Sequence, residues 1–162
     1  MRTLIYRFFL LIGFLLLTLQ LMEYISIQGN TPDILLILVI YISHKKGVME
    51  GQVTGFAAGL LEDIYSIELF GIHAFVKLII GNLTGLIYSN FTADNFGFRI
   101  LLGFLASLIH GILFMIAKTI FESMDVWYYV TNHLWIKILY TTVLTPFLFL
   151  FLEFLEKRFG EQ

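Results

Sequence analysis

The chain has 162 residues and a formal net charge of -2, and 59% of its residues are hydrophobic while only 14% are charged. With a mean hydropathy of +0.87 it is far more apolar than an average soluble domain, so the composition predicts an integral membrane protein. The lack of cysteine excludes disulfides, thiol catalysis and cysteine-ligated metals in this chain, and no basic face typical of nucleic-acid binding is present.

Six hydrophobic segments predict an all-α integral membrane protein, a six-transmembrane-helix bundle that forms a single membrane domain over residues 1–162. The segments cover about residues 8–27, 32–46, 47–64, 71–90, 98–121 and 134–154. The first follows Arg2 and Arg7 as a signal peptide would. Because no small-residue cleavage site follows it, we predict a retained span.

The second span opens with helix-start residues. Thr31 offers a hydroxyl for the N-cap, Pro32 suits the first helical position, and Asp33 places a negative charge at the positive end of the dipole. The apolar run 34–43 covers only about half of a bilayer core of roughly 30 Å, so the helix must continue through residues 44–46 or the bilayer must thin. A re-entrant hairpin would bring two lysines near the membrane middle, so two short spans are favoured.

Small residues recur at four-residue steps along the third and fourth spans. The third carries Gly47, Gly51, Gly55, Gly59 and then Asp63; the fourth carries His73, Lys77, Gly81, Gly85 and Ser89. Each set shares one helical face. Glycine in a helix costs about 1 kcal/mol relative to alanine in water, whereas in a bilayer a glycine groove lets a neighbouring helix approach closely. The pattern predicts close helix packing along both faces.

Ionisable residues end these grooves near the loop that the two spans share. Asp63 is predicted to face Lys77 or His73, because an unpaired charge at membrane depth is costly. The sequence leaves open whether these charges hold a hairpin together or form a polar site for a ligand or partner. The predicted polar cluster consists of Pro32, Asp33, Asp63, His73 and Lys77.

The last two spans add fewer polar groups. His110 lies near the middle of the fifth span, either as a functional residue or hydrogen-bonded to a neighbouring helix. Residues 122–133 read as an acidic and aromatic interfacial connection, and Pro146 predicts a kink in the sixth span. Most lysines and arginines fall on the side of the two termini, so these are predicted to be cytoplasmic, and the opposite loops are acidic.

Signatures of catalysis and of cofactor binding are missing from the sequence. There is no GxSxG stretch, no HExxH pair and no GxxxxGK[ST] phosphate loop, and Asp63 has no evident second carboxylate for acid–base work. The sequence therefore predicts a protein that is not an enzyme and that has neither a cofactor nor a metal site.

Three blocks in the first half of the chain resemble a known family. They are the run Pro32-Asp33-Ile34-Leu35-Leu36, the helix with Gly55-Phe56 and Gly59-Leu60-Leu61-Glu62-Asp63, and the start Gly71-Ile72-His73-Ala74. In this order the blocks resemble the bacterial rod-shape-determining MreD family over residues 30–90, and length and span count fit the whole chain.

The resemblance implies a non-catalytic subunit of the cell-elongation machinery in the bacterial inner membrane. Its direct partner would be the bitopic protein MreC, with RodA, a penicillin-binding transpeptidase and MreB in a larger complex for peptidoglycan synthesis. The resemblance also implies a fold similar to the substrate-binding S components of energy-coupling-factor transporters.

Two functions remain open at this point. In a scaffold, the glycine grooves or the acidic outer rim would receive the helix and the periplasmic segment of a partner. In a binder, the predicted polar cluster would line a cavity that recognises a small polar molecule or a lipid head group.

Overall fold

The structure, a computed structural model, describes residues 13, 30–66, 70–88, 95–121 and 126–159. The regular elements in these ranges are helices: α1 Ile34–Lys46, α2 Val48–Tyr65, α3 Ile72–Tyr88, α4 Phe96–Phe121, α5 Val126–Tyr129, a π-helical turn Val130–Leu134, and α6 Trp135–Phe159. The all-α prediction is therefore confirmed for the described part of the chain. Apart from residue 13, the predicted first span at 8–27 lies outside it.

Two of the described helices are long and apolar enough to cross a membrane, Phe96–Phe121 and Val126–Arg158. At about 1.5 Å per residue, the 26 residues of α4 exceed the roughly 30 Å of a hydrocarbon core. The 13-residue α1 is about half as long, as its short apolar run predicted.

Helix α1 lies at the centre of the bundle. Residues 34–44 are all buried, and residues 37–40 have no exposed surface. Ile80 of α3 and Phe149 of α6 pack into the same apolar core. A helix that is apolar on every side must be surrounded by other helices, and α1 contacts α2, α3, α4 and α6.

A single residue separates α1 from α2. Gly47 has a φ of 90°, a conformation that favours glycine, and its N–H donates to the carbonyl of Ser43 at 2.9 Å. Gly47, the first residue of the predicted third span, is thus the N-cap of α2, and the helix itself begins at Val48. The cap prediction is wrong: Asp33, not Thr31, caps α1, and its side chain accepts from the N–H of Leu36 at 2.8 Å.

Helices α1 and α3 run in the same direction, and α2 runs against both. Asp33 at the start of α1 contacts Lys77 near the start of α3. Near the ends of the same two helices, the hydroxyl oxygens of Ser43 and Thr84 lie 2.5 Å apart. We call the two ends of the bundle the Asp33 end and the Lys46 end. The end of α2 and the start of α3 therefore both lie at the Asp33 end.

The segment before α6 is helical. Residues 126–134 form α5 and the π-helical turn and continue directly into α6, so helical structure begins before the predicted start of the last span at residue 134. Asn30 joins this turn to the start of α1 through its side-chain amide. The amide nitrogen donates to the backbone carbonyl of Asn132 at 3.0 Å, and the amide oxygen lies 2.7 Å from His133 Nδ1. The turn therefore holds the chain where it enters α1.

Ion pairs close the opposite end of the bundle. Glu153 on α6 binds Arg99 of α4 at 2.8 Å and Lys45 of α1 at 3.2 Å. Glu156 accepts from the Tyr41 hydroxyl at 2.7 Å and pairs with Lys46 at 3.2 Å. The Lys46 end thus ties the buried helix to the two long helices.

Candidate functional site

A group of charged side chains meets at the start of α1. Lys77 of α3 is fully buried, and its ammonium group lies 2.7 Å from Asp33 Oδ2 and also pairs with Glu62 of α2. One lysine therefore pairs with carboxylates from two other helices. Breaking a buried pair of this kind is strongly destabilising, because it leaves a charge without its partner.

Two further basic side chains approach Asp33 from the long helices. His110 Nε2 of α4 lies 3.6 Å from Asp33 Oδ2, and Lys137 Nζ of α6 lies 3.9 Å from the same oxygen. Thr141 of α6 completes the surroundings by accepting from the backbone N–H of Asp33 at 3.2 Å. We call Asp33, Glu62, Lys77, His110 and Lys137 the charged cluster; it draws on all five of the longer helices, α1 to α4 and α6.

Asp63 has a different role from the one predicted. Its two carboxylate oxygens accept from the backbone N–H groups of His73 at 3.0 Å and Ala74 at 3.1 Å. These are first-turn donors of α3 that have no partner within the helix, and a negative charge there also favours the helix dipole. The predicted pair of Asp63 with Lys77 is wrong. The predicted contact with His73 exists, but it is made to the backbone.

The Asp63 cap gives a testable consequence. We expect Asp63→Asn to cost about 1–3 kcal/mol, because an amide offers one acceptor to two buried N–H donors and leaves one of them unpaired. Hydrogen exchange at the amides of His73 and Ala74 and thermal unfolding in detergent would measure this. Ser66→Ala is the control, since Ser66 only donates weakly to the Asp63 carbonyl at 3.4 Å. Unchanged exchange at both amides in Asp63→Asn would contradict the capping role.

The two glycine faces pack against each other. A Cβ atom on Gly55 would lie 2.8 Å from the carbonyl carbon of Lys77, and one on Gly85 would lie 2.6 Å from Val48 Cα. Gly51 and Gly81 meet in the same way, and a Cβ on Gly59 would collide with the backbone of Ala74 and His73. The predicted packing glycines therefore serve contact between α2 and α3 within this chain, which leaves no room for a partner helix between them.

Of the predicted polar cluster, the structure brings Asp33 and Lys77 into direct contact. His73 lies one turn away, with its Nδ1 3.6 Å from Glu62 Oε1 and its ring 4.9 Å from that of Phe114. Pro32 precedes the cap and accepts from the N–H of Ile34 at 3.1 Å. The Asp63 carboxylate accepts from backbone N–H groups of α3 and is not part of the charged cluster.

Sequence reasoning missed Glu62 and Lys137. Glu62 directly precedes Asp63 and therefore points to a different face of the helix, and that face is the one that meets Lys77. Lys137 lies inside an apolar span, and a charge in such a position is by itself a signal of a polar partner.

Two cavities lie near this site. One is a cavity of about 10 Å³ next to the charged cluster, lined by Asp33, Ser107, His110, Lys137 and Thr141 together with apolar residues. The other is an apolar groove of about 430 Å³ between α3 and α4, lined among others by Phe70, Phe75, Leu113, Ile116, Ala117 and Ile120. Among the described residues, no group of three histidine or acidic side chains has a geometry that could hold a metal ion.

A helical chain with two membrane-length helices and an ion-paired polar centre is a membrane protein of the helical class. The family model for the rod shape-determining protein MreD matches residues 1–155. The chain belongs to the MreD family, which implies a role in determining rod shape and confirms the resemblance found in the sequence. A search of curated proteins and a search of solved structures found no match.

Proposed function

We propose that the chain is a non-catalytic scaffold subunit of the bacterial cell-elongation machinery and that it binds MreC. It would lie in the inner membrane and take part, through MreC, in a peptidoglycan-synthesis complex with RodA, a penicillin-binding transpeptidase and MreB. The match to the MreD family carries this proposal.

The charged cluster supports a structural role over a chemical one. Lys77 has no exposed surface and already pairs with Asp33 and Glu62. The adjoining cavity of about 10 Å³ has room for about one water molecule. An organic ligand of the kind that a transporter S component binds needs a far larger cavity, of about 300 Å³ or more. This observation counts against the small-molecule and lipid-head-group alternative.

The charge distribution supports the proposed topology. The basic residues of the described helix termini at one end of the bundle are Lys45, Lys46, Arg99, Lys157 and Arg158. The positive-inside rule makes this the cytoplasmic end. The proposal includes a span at 8–27, six spans in total, cytoplasmic termini and a bundle similar to the transporter S components.

The partner surface has to lie on an outward face, because the glycine faces of α2 and α3 are occupied by each other. We propose that the membrane helix of MreC lies in the apolar groove between α3 and α4. All ten residues that line this groove are apolar or glycine, and Phe75 and Ile120 are 64% and 71% exposed. An apolar helix exchanges lipid contacts for equally apolar protein contacts when it enters such a groove. A polar ligand would instead lose its hydration.

The test of this surface uses one bulky substitution inside the groove and one outside it. We expect Ala117→Trp to fill the groove and to lower the amount of MreC that co-purifies in mild detergent by at least about tenfold, since a steric block of about 1.4 kcal/mol or more has that effect. Val143→Trp on α6 is the control: Val143 is 59% exposed and lies outside the groove, so MreC should be retained.

The outcomes separate the surface from the function. If folded Ala117→Trp retains MreC at the parent level, the groove is not the contact surface. If the parent protein itself recovers no MreC from its native membrane, the scaffold function is wrong. Size-exclusion chromatography of both variants shows whether they are folded.

A further inference from the structure

The cavity beside the charged cluster is polar on one side and very small. Ser107 and His110 of α4 line it together with Lys137 and Thr141 of α6. Its volume of about 10 Å³ is about the least that a single water molecule requires. The cavity does not belong to the proposed partner surface, which lies on the other face of α4.

Two buried polar atoms at this cavity have no hydrogen-bond partner in the part of the chain that the structure describes. They are Ser107 Oγ and His110 Nε2, and the two residues are only 5% and 3% exposed. Buried polar groups are nearly always satisfied by the protein or by ordered water. Two such atoms on one turn of one helix, at the same cavity, therefore point to a bound molecule.

The distance between His110 and Asp33 has the same implication. His110 Nε2 lies 3.6 Å from Asp33 Oδ2, which is too far for a direct hydrogen bond. A polar contact at this separation is commonly completed by a water molecule.

We propose that the cavity holds one buried water molecule, hydrogen-bonded to Ser107 Oγ, His110 Nε2 and Lys137 Nζ. Three polar partners are the usual number for a buried water. The charges that line the cavity favour a neutral occupant, because Asp33 and Lys137 carry opposite charges and leave no net charge to attract an ion. The water links α4 to α6 beside Asp33 and so completes the charged cluster.

The first experiment distinguishes a hydrated cavity from a dry one by the sign of a stability change. With the water present, Ser107→Ala removes one of its hydrogen bonds, and we expect the melting temperature in detergent to fall by about 2–4 °C. With a dry cavity, the same substitution removes an unsatisfied hydroxyl and should leave the melting temperature unchanged or raise it. Alanine has the higher helix propensity, so a fall cannot come from the helix itself.

Thr142→Val is the matched control. Thr142 Oγ1 is also buried and has no hydrogen-bond partner among the described residues, but Thr142 does not line the cavity. We expect its removal to leave the melting temperature unchanged or to raise it. If Ser107→Ala behaves in the same way as Thr142→Val, the proposal is overturned.

A direct measurement follows the water itself. In protein labelled with ¹⁵N-histidine and embedded in lipid bilayers, solid-state NMR should show magnetisation transfer from water to the ring nitrogen of His110. His133, which is half-buried near the end of the bundle, is the positive control for transfer. Transfer to His133 with none to His110 would show a dry cavity, and an organic molecule found in the cavity would equally overturn the proposal.

Discussion

Replacing Gly59 with alanine is expected to prevent α2 and α3 from closing into their hairpin and so to abolish the folded protein. The added Cβ would collide with the N and Cα atoms of Ala74 and with the carbonyl oxygen of His73. These are backbone atoms, so no side chain can turn away to make room. Overpacking of a core by a methyl group costs about 1–3 kcal/mol when side chains can adjust, and a collision with backbone should exceed that range.

Gly97→Ala is the matched control for Gly59→Ala. Gly97 lies in the first turn of α4, and a Cβ there would meet no atom of the described residues within 4 Å. Because alanine is the better helix former, the change should be neutral or should stabilise by up to about 1 kcal/mol. Fluorescence-detected size-exclusion chromatography and a thermal melt in detergent measure both variants. A Gly59→Ala protein that elutes and melts like the parent would show that the two helices do not pack as closely as described.

Replacing Lys77 with methionine is expected to destabilise the protein by about 3–5 kcal/mol, although methionine fills a similar volume. The substitution leaves the buried Asp33 carboxylate without its 2.7 Å partner and also removes the cation from Glu62. Equilibrium unfolding in detergent, or the melting temperature where unfolding is not reversible, measures the loss.

A double substitution tests whether the loss comes from the unpaired charge. Adding Asp33→Asn to Lys77→Met removes the uncompensated carboxylate while keeping an acceptor for the N–H of Leu36. We expect the double variant to be more stable than Lys77→Met alone, because contacting residues are not additive. Lys137→Met should cost less than Lys77→Met, since its side chain is 30% exposed and its ammonium lies 3.9 Å from Asp33. Equal losses for the two lysine variants would contradict the central position of Lys77.

Together these results would assign the motif residues of the MreD family in this chain to the assembly of three helices. Asp33 caps α1 and binds Lys77, Gly59 admits the backbone of α3, and Asp63 caps α3 ten residues further along the chain. Helices α1 to α3 thus form a unit against which α4 and α6 pack.

The sequence by itself determined the class of protein and the close-packed faces. An apolar composition with few charges requires a helical membrane protein, because backbone polar groups in a bilayer must be satisfied within the helix. Glycine at four-residue steps, as at Gly51, Gly55 and Gly59, requires a close approach on one face whatever the partner is. The first conclusion follows from composition and the second from periodicity, and neither depends on how the helices are arranged.

Only the tertiary structure decided which groups meet. Periodicity places Asp63 and Lys77 at similar depth, but it does not show that backbone N–H groups of α3 reach Asp63 first, leaving Lys77 to Asp33 and Glu62. Nor does it show that the glycine faces meet each other rather than a partner. Which groups meet depends on distances between atoms of different helices. The spacing of residues within one helix carries no information about those distances.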